Sequence, residues 1–332
     1  MSAAQTYPDS IRGLVVTRNG GPEVLAVQSM PTPQPQQGEL LVQVAASGIN
    51  FIDVYRREGT YAVPTPFVLG TECAGRVVAL GGGVDEFAIG DLVATESGRA
   101  THAEYAIVPA ERAVPVPAGL DPEVAAAAML QGITAQYLTT STHAVTAADR
   151  VLIHAAAGGV GQLLVQLVKA RGALVVATVG SAEKATIATE LGADVVIRYD
   201  ESDDLAARVR EASNGGVDVV YDGVGKATFE ASLAALLPRG LMTLYGASSG
   251  QVPPFDLQRL NPLGSLFVTR PTLAHYVADR DELRWRAGEV LHAVADGTVR
   301  ISIGGRYSLD TAADGYRELE ARRTTGKLLI VP

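Results

Sequence analysis

The chain has 332 residues, 47% hydrophobic and 19% charged, and a formal net charge of -9 from 27 Lys and Arg against 36 Asp and Glu. That length points to about two domains. The acidic balance, without any basic run, argues against a nucleic-acid partner, because phosphate binding needs clustered Lys and Arg. A few local cations would still serve a phosphate-bearing cofactor. The single cysteine, Cys73, can form no internal disulfide and gives no sign of an oxidising compartment. Residues 1–10 carry neither the positive nor the apolar region of a secretory signal, and read as a loose tail. No apolar run approaches the ~18 residues of a membrane span. Cytoplasmic is the expected location.

The first third reads as β-structure. Short Val-, Leu- and Ile-rich runs at 13–17, 40–45, 75–80, 91–95 and 103–109 are broken by Gly and Pro clusters at 30–38 and 81–83. Their spacing suits a compact antiparallel barrel. The pattern changes near Asp121, a candidate N-cap followed by Pro122 at the first helical position, with a helix expected over 122–139. From Arg150 apolar strands alternate with helices. Strands are expected at 151–154, 174–179, 195–198, 217–221, 241–245 and 265–269, and helices at 161–171, 182–191, 203–212 and 226–237. Strands apolar on both faces, alternating with helices, signal a doubly wound parallel sheet. A helix over 282–295, a strand at 299–303, a helix near 311–322 and a strand at 327–331 are expected to return and complete the first domain. The fold class is therefore α/β: a β-barrel domain over 1–125 and 271–332, and a parallel-sheet dinucleotide-binding domain over 126–270.

The strongest chemical signal is the stretch from Val151 to Gln162, which ends in Gly158-Gly159-Val160-Gly161. Strand, glycine turn and helix follow in the order that brings a pyrophosphate to a helix N-terminus. Ala156 stands where the fingerprint has its first glycine, so taken alone this turn could equally serve packing. The βα alternation behind it favours a dinucleotide. The second strand of that unit ends Val179-Gly180-Ser181, with Lys184 one turn into the next helix. A site for NAD places an acid there to hold the ribose 2′-hydroxyl. Without one, Ser181 and Lys184 would welcome a 2′-phosphate, which points to NADPH. The alternative for Lys184 is an ordinary solvated helix lysine.

Several stretches then carry a family resemblance. Gly70-Thr71-Glu72-Cys73-Ala74-Gly75 with Gly90-Asp91 resembles the glycine-acid signature of the medium-chain dehydrogenase/reductases. Residues 42–50 and Asn50–Tyr55, Tyr221–Gly225 and Phe267–Pro271 resemble its zinc-free quinone oxidoreductase (zeta-crystallin-like) branch. The resemblance runs from about Arg12 to the end. It implies a GroES-like barrel domain, a Rossmann domain and a cofactor between them. It further implies that Asn50, Tyr55 and Thr134 approach the nicotinamide and its ribose. Ser181, Lys184, Tyr199 and Arg322 would surround the 2′-phosphate, and Gly246, Phe267 and Val268 would border the nicotinamide. For each, packing or an ordinary surface position is the competing account.

Zinc alcohol dehydrogenases of the same superfamily have Cys where this chain has Asn50 and His where it has Thr71. A catalytic Zn²⁺ needs three protein ligands, and the five histidines show no close ligand spacing. No metal is expected. Cys73 reads as a small buried strand residue. An acceptor that takes hydride or electrons without a Lewis acid is then required, and a small quinone or enone qualifies. The expected pocket is Asn50, Tyr55, Tyr61, Thr134 and Gln131, with Tyr61 either a proton donor or a packed loop aromatic. An alkenal, enone or enoyl-thioester reductase is the alternative. A cofactor-binding structural or RNA-binding protein is the rival from another class. The apolar strand 265–269 would leave an edge free, and the family pairs this edge into a homodimer.

Overall fold

The computed structural model describes residues 7–201 and 204–332. In chain order the elements are β1 (Ser10–Val16), β2 (Leu25–Pro31), β3 (Glu39–Ile49), α1 (Phe51–Arg57), β4 (Phe67–Val68), β5 (Cys73–Leu80), β6 (Leu92–Thr95), β7 (Tyr105–Pro109), β8 (Val114–Pro115) and α2 (Pro122–Tyr137). Next come β9 (Arg150–Ile153), α3 (Gly159–Ala170), β10 (Leu174–Val179), α4 (Ala182–Glu190), β11 (Val195–Arg198), α5 (Leu205–Ala212), β12 (Val217–Asp222), α6 (Phe229–Ala235), β13 (Leu236–Leu244), β14 (Phe267–Thr269) and α7 (Leu273–Tyr276). The chain closes with α8 (Arg280–Ala295), β15 (Ile303–Tyr307), α9 (Ala312–Glu320) and β16 (Lys327–Ile330). Two compact units result: Met1–Leu130 with Arg280–Pro332, and Gln131–Asp279. The tail at 1–6 and the expected helix start at Asp203 lie outside the described residues.

The first unit is built on a seven-stranded sheet, β15-β16-β3-β5-β6-β8 with β7 also on β3, and a three-stranded sheet, β2-β1-β4. β3 is its hub, pairing antiparallel with β5, β7 and β16. Leu40, Val42, Cys73, Val77, Val93 and Ala106 form one buried cluster. Leu14, Ile49, Leu69, Tyr316, Leu328 and Ile330 belong to another. Each such aliphatic side chain contributes about 1.5–3 kcal/mol when withdrawn from water. The last strand thus completes this unit's core, with Leu328 opposite Ile49 and Ile330 opposite Ser47.

The second unit is a six-stranded, wholly parallel sheet in the order β11-β10-β9-β12-β13-β14. That is the doubly wound order 3-2-1-4-5-6, in which ligands bind beyond the carboxyl ends of the strands. Leu152, Val176, Val220, Leu233 and Met242 fill its core. Three expectations need correction here and in the returning segment. The helix expected over 226–237 is only Phe229–Ala235, because Leu236 is already extended and pairs with Val217. The strand expected at 299–303 lies at 303–307. Gly304 lies within it because a Cβ there would sit 1.8 Å from the Thr325 carbonyl oxygen, the close backbone approach that glycine permits. The helix over 122–139 ends at Tyr137 and continues as one π-helical stretch, Leu138–Thr142. There the Tyr221 hydroxyl donates to the Leu138 carbonyl at 2.9 Å.

Candidate active site

In the second unit, β9 runs into α3 through His154–Gly158. The left-handed residue of this turn is Ala155, at φ 51°. Ala156, fully buried, instead donates its N–H to the Thr178 carbonyl at 3.1 Å and ties the turn to β10. Gly158 caps α3, and a Cβ on it would meet nothing nearer than Ala155 O at 3.2 Å. Gly161 has no such freedom, since its Cβ would fall 2.3 Å from that same oxygen. A Cβ on Gly159 would strike the Gln131 side chain, 2.1 Å away, so Gln131 lies over the turn. The first amides of α3 have no partner within the helix, and Gly158, Gly159 and Val160 remain partly exposed. Gln162 donates to the Ala157 carbonyl at 2.8 Å, while its Oε1 is buried and accepts nothing. A diphosphate fits such a terminus.

At the end of β10 the structure brings together Gly180, Ser181, Lys184 and Tyr199. A Cβ on Gly180 would touch the Tyr199 ring at 3.3 Å. Ser181 also N-caps α4, its Oγ accepting from the Lys184 amide at 3.2 Å, a role the sequence reading had not assigned. Lys184 is half-buried, and that burial lowers its pKa while Glu183 raises it. Arg322 is exposed, follows α9 at φ 57° and belongs to the first unit. Thr134, on α2, is 7% exposed. Gly246 has a local reason to be glycine, because its Cβ would lie 2.5 Å from Gly223 O. Phe267 and Val268, on edge strand β14, are 61% and 37% exposed. Sequence reasoning missed the buried set behind the turn. His154 meets the Thr178 and Ser232 hydroxyls at 2.7 and 3.0 Å, and Ser232 donates to Asp222 at 2.9 Å.

In the first unit Asn50 caps α1, with its N–H on Asp53 Oδ2 at 2.9 Å. Tyr55 follows one turn later and meets Tyr61 edge to face at 5.6 Å between ring centres. Tyr61 is 48% exposed. The largest omission of the sequence reading is Lys327. Its ammonium, fully buried, pairs with Glu72 and donates to Asn50 Oδ1 at 2.7 Å. Asn50 Nδ2 donates to Glu72 Oε2 at 2.8 Å and to the Gly48 carbonyl at 3.1 Å. Glu72 Oε1 accepts from the Leu130 amide at 2.6 Å. A buried carboxylate requires a counter-charge, and a lysine opening the apolar strand Lys327–Ile330 was the available signal.

That set does not fit zinc. Every oxygen of Asn50 and Glu72 that could ligate is already hydrogen-bonded, and an ammonium stands beside them to repel a dication. Burial pushes the Cys73 thiol up to about 12, away from the thiolate a metal needs. Among the described residues no group of three or more His, Cys, Asp or Glu could hold a metal ion. Behind the set, His102 meets Ser47 Oγ and Tyr316 OH, each at 2.7 Å. Burial, then the Lys327 charge, hold its pKa down to about 3, whereas burial pushes Asp53 up to about 7.

Two family models match: an alcohol dehydrogenase GroES-like domain over residues 36–118 and a zinc-binding dehydrogenase domain over 159–282. A curated quinone oxidoreductase of Pseudomonas aeruginosa is 42% identical over 316 residues, 94% of this chain and 97% of that protein. The chain belongs to the quinone oxidoreductase family of medium-chain dehydrogenase/reductases. Among solved structures, a mycobacterial protein complexed with NADPH aligns at TM-score 0.94 and 45% identity, covering 97% of this chain and 100% of that one. The Escherichia coli quinone oxidoreductase complexed with NADPH aligns at 0.93 and 40%, with the same coverage. The zinc-binding name belongs to the model that matches residues 159–282; Asn50 and Thr71 lie in the stretch matched by the GroES-like model, and Lys327 lies beyond both.

Proposed function

We propose that this chain is an NADPH-dependent quinone reductase that works without zinc, in the cytoplasm and as a homodimer. The observation that carries the reading is the full-length match to quinone oxidoreductases, one of them solved with NADPH. The strand end at Gly180-Ser181, which lacks a carboxylate, supports the choice of NADPH over NADH.

The bound dihydronicotinamide supplies the reducing equivalents. The chain's own residues do the rest. Gly158, Gly159 and Val160 at the α3 terminus receive the diphosphate, and Ser181, Lys184, Tyr199 and Arg322 receive the 2′-phosphate. Asn50, Tyr55, Thr134, Gly246, Phe267 and Val268 are assigned to the nicotinamide end. Tyr61, exposed beside Tyr55, suits a group that hands a proton to the reduced acceptor. A quinone spreads incoming charge over its own ring, so positioning is the main demand on the protein.

The test is stopped-flow NADPH oxidation with quinones, enones and enoyl thioesters, before and after exhaustive chelation. Quinones should turn over fastest, with chelator-insensitive rates. Activity lost to chelation and restored specifically by zinc would overturn the metal-free reading, and faster enoyl-thioester turnover would reassign the substrate. The exposed apolar edge β14 supports the dimer. Sedimentation at micromolar concentration should show twice the 34.6 kDa chain mass, and a purely monomeric species would contradict it. No helix among the described residues is long and apolar enough to cross a membrane.

A further inference from the structure

We propose that Lys327 is a positioning residue: it fixes the Asn50 carboxamide so that Asn50 can only accept a hydrogen bond, and therefore meets the cofactor rather than the quinone. The proposal rests on the reductase reading above, with Asn50 facing the bound ligand.

The orientation of this amide follows from its partners. An ammonium can only donate, so the Asn50 atom facing Lys327 Nζ at 2.7 Å is its oxygen. A carboxylate and a peptide carbonyl can only accept, so the atom facing Glu72 Oε2 and Gly48 O is its nitrogen. Both amide hydrogens are thereby spent inside the protein. Turning the carboxamide over would set its NH₂ against the ammonium and its oxygen against the carboxylate.

The surrounding backbone is shaped for this arrangement. β16 pairs antiparallel with β3 from Leu328 opposite Ile49 onward, which brings Lys327 level with Asn50. Gly48 keeps the space clear, since a Cβ there would lie 1.9 Å from Glu72 Oε2 and 2.7 Å from Lys327 Nζ. Lys327 is 1% exposed and Asn50 5%, so Lys327 acts through Asn50 and does not touch a ligand.

An oxidised quinone offers only acceptor oxygens, and an amide with no free N–H cannot polarise it. The hydrogen-bond donors at hand are the ribose hydroxyls and the carboxamide of the nicotinamide nucleotide. NADPH and NADH share both. Loss of Lys327 should therefore weaken the two cofactors by the same factor, unlike loss of a contact to the 2′-phosphate.

The test uses full-length Lys327→Met and Lys327→Met/Glu72→Gln, the second removing both buried charges together. Tm, the Kd of NADPH and of NADH by fluorescence titration, and kcat and KM with 1,4-benzoquinone are read for each. Lys327→Met should lower Tm and raise both Kd values about 5- to 10-fold, the worth of one hydrogen bond. The double variant should regain Tm yet keep the weakened Kd for both cofactors, with the benzoquinone KM nearly unchanged. A double variant that regains both Tm and Kd would make the pair merely structural and overturn the proposal. So would a rise in KM for benzoquinone with the Kd values unmoved. If the wild-type chain binds NADPH but reduces no quinone, the function above fails while this comparison of Kd values is still read. A wild-type chain that binds neither cofactor overturns both.

Discussion

The two units treat charge in opposite ways. Around Asn50, Glu72 and Lys327 the charges are sealed and paired, so little is left for an incoming ion. At the turn after β9 and the end of β10 the chain leaves amides, a serine and a half-buried lysine where an anion can reach them. The contrast teaches that one buried acid can take its counter-charge from the chain itself, while a glycine-lined strand end keeps its polar groups near the surface.

Breaking the sealed half should give the largest effect. Glu72→Leu leaves the Lys327 ammonium buried without its counter-charge, at a cost of about 3–5 kcal/mol. Thermal unfolding should show a large loss of stability, and a loss under 1 kcal/mol would show that the pair is not sealed. In the open half, Gly161→Ala forces a methyl against a backbone oxygen. It should cost about 1–3 kcal/mol and weaken NADPH and NADH alike, read by fluorescence titration. Unchanged binding would mean the turn is not the diphosphate site.

A subtler experiment sharpens the comparison through pH. Asp53 faces His102 Nε2 at 3.9 Å, Tyr316, Arg56, Lys327 and Glu72. Its folded pKa, about 7, lies above the unfolded value near 3.9, so between them the native state holds the extra proton and stability falls as pH rises. His102, held down to about 3, acts oppositely: the unfolded state binds the extra proton, and stability rises from about pH 3 to 6.5. The two offset each other in the wild type. Asp53→Asn should unmask the His102 contribution, giving a steeper rise of Tm between pH 4 and 6.5 than in the wild type. Parallel Tm–pH curves would contradict the assignment.

Much of this was legible in the sequence where burial is two-sided. Strands 174–179 and 195–198 match β10 and β11 because continuous Val and Ile runs leave no other period. β2 escaped notice because its residues are only partly buried and give no clean alternation. Helix α1 was hidden inside a motif read for its chemistry. Lys327 was missed for a different reason: its partners, Glu72 and Asn50, lie more than two hundred residues away in the chain. No local pattern encodes such a contact. Ser181 was found for its hydroxyl, but its capping bond to the Lys184 amide depends on where α4 starts.

The central claim is that the open end of β10 selects NADPH by its 2′-phosphate, and Lys184→Ala tests it most directly. A charge-assisted contact to phosphate contributes about 1.5–3 kcal/mol. The NADPH Kd should therefore rise on the order of 10- to 100-fold, while the NADH Kd and the maximal rate stay near wild type. Equal weakening of both cofactors, or a wild-type preference for NADH, would contradict the account.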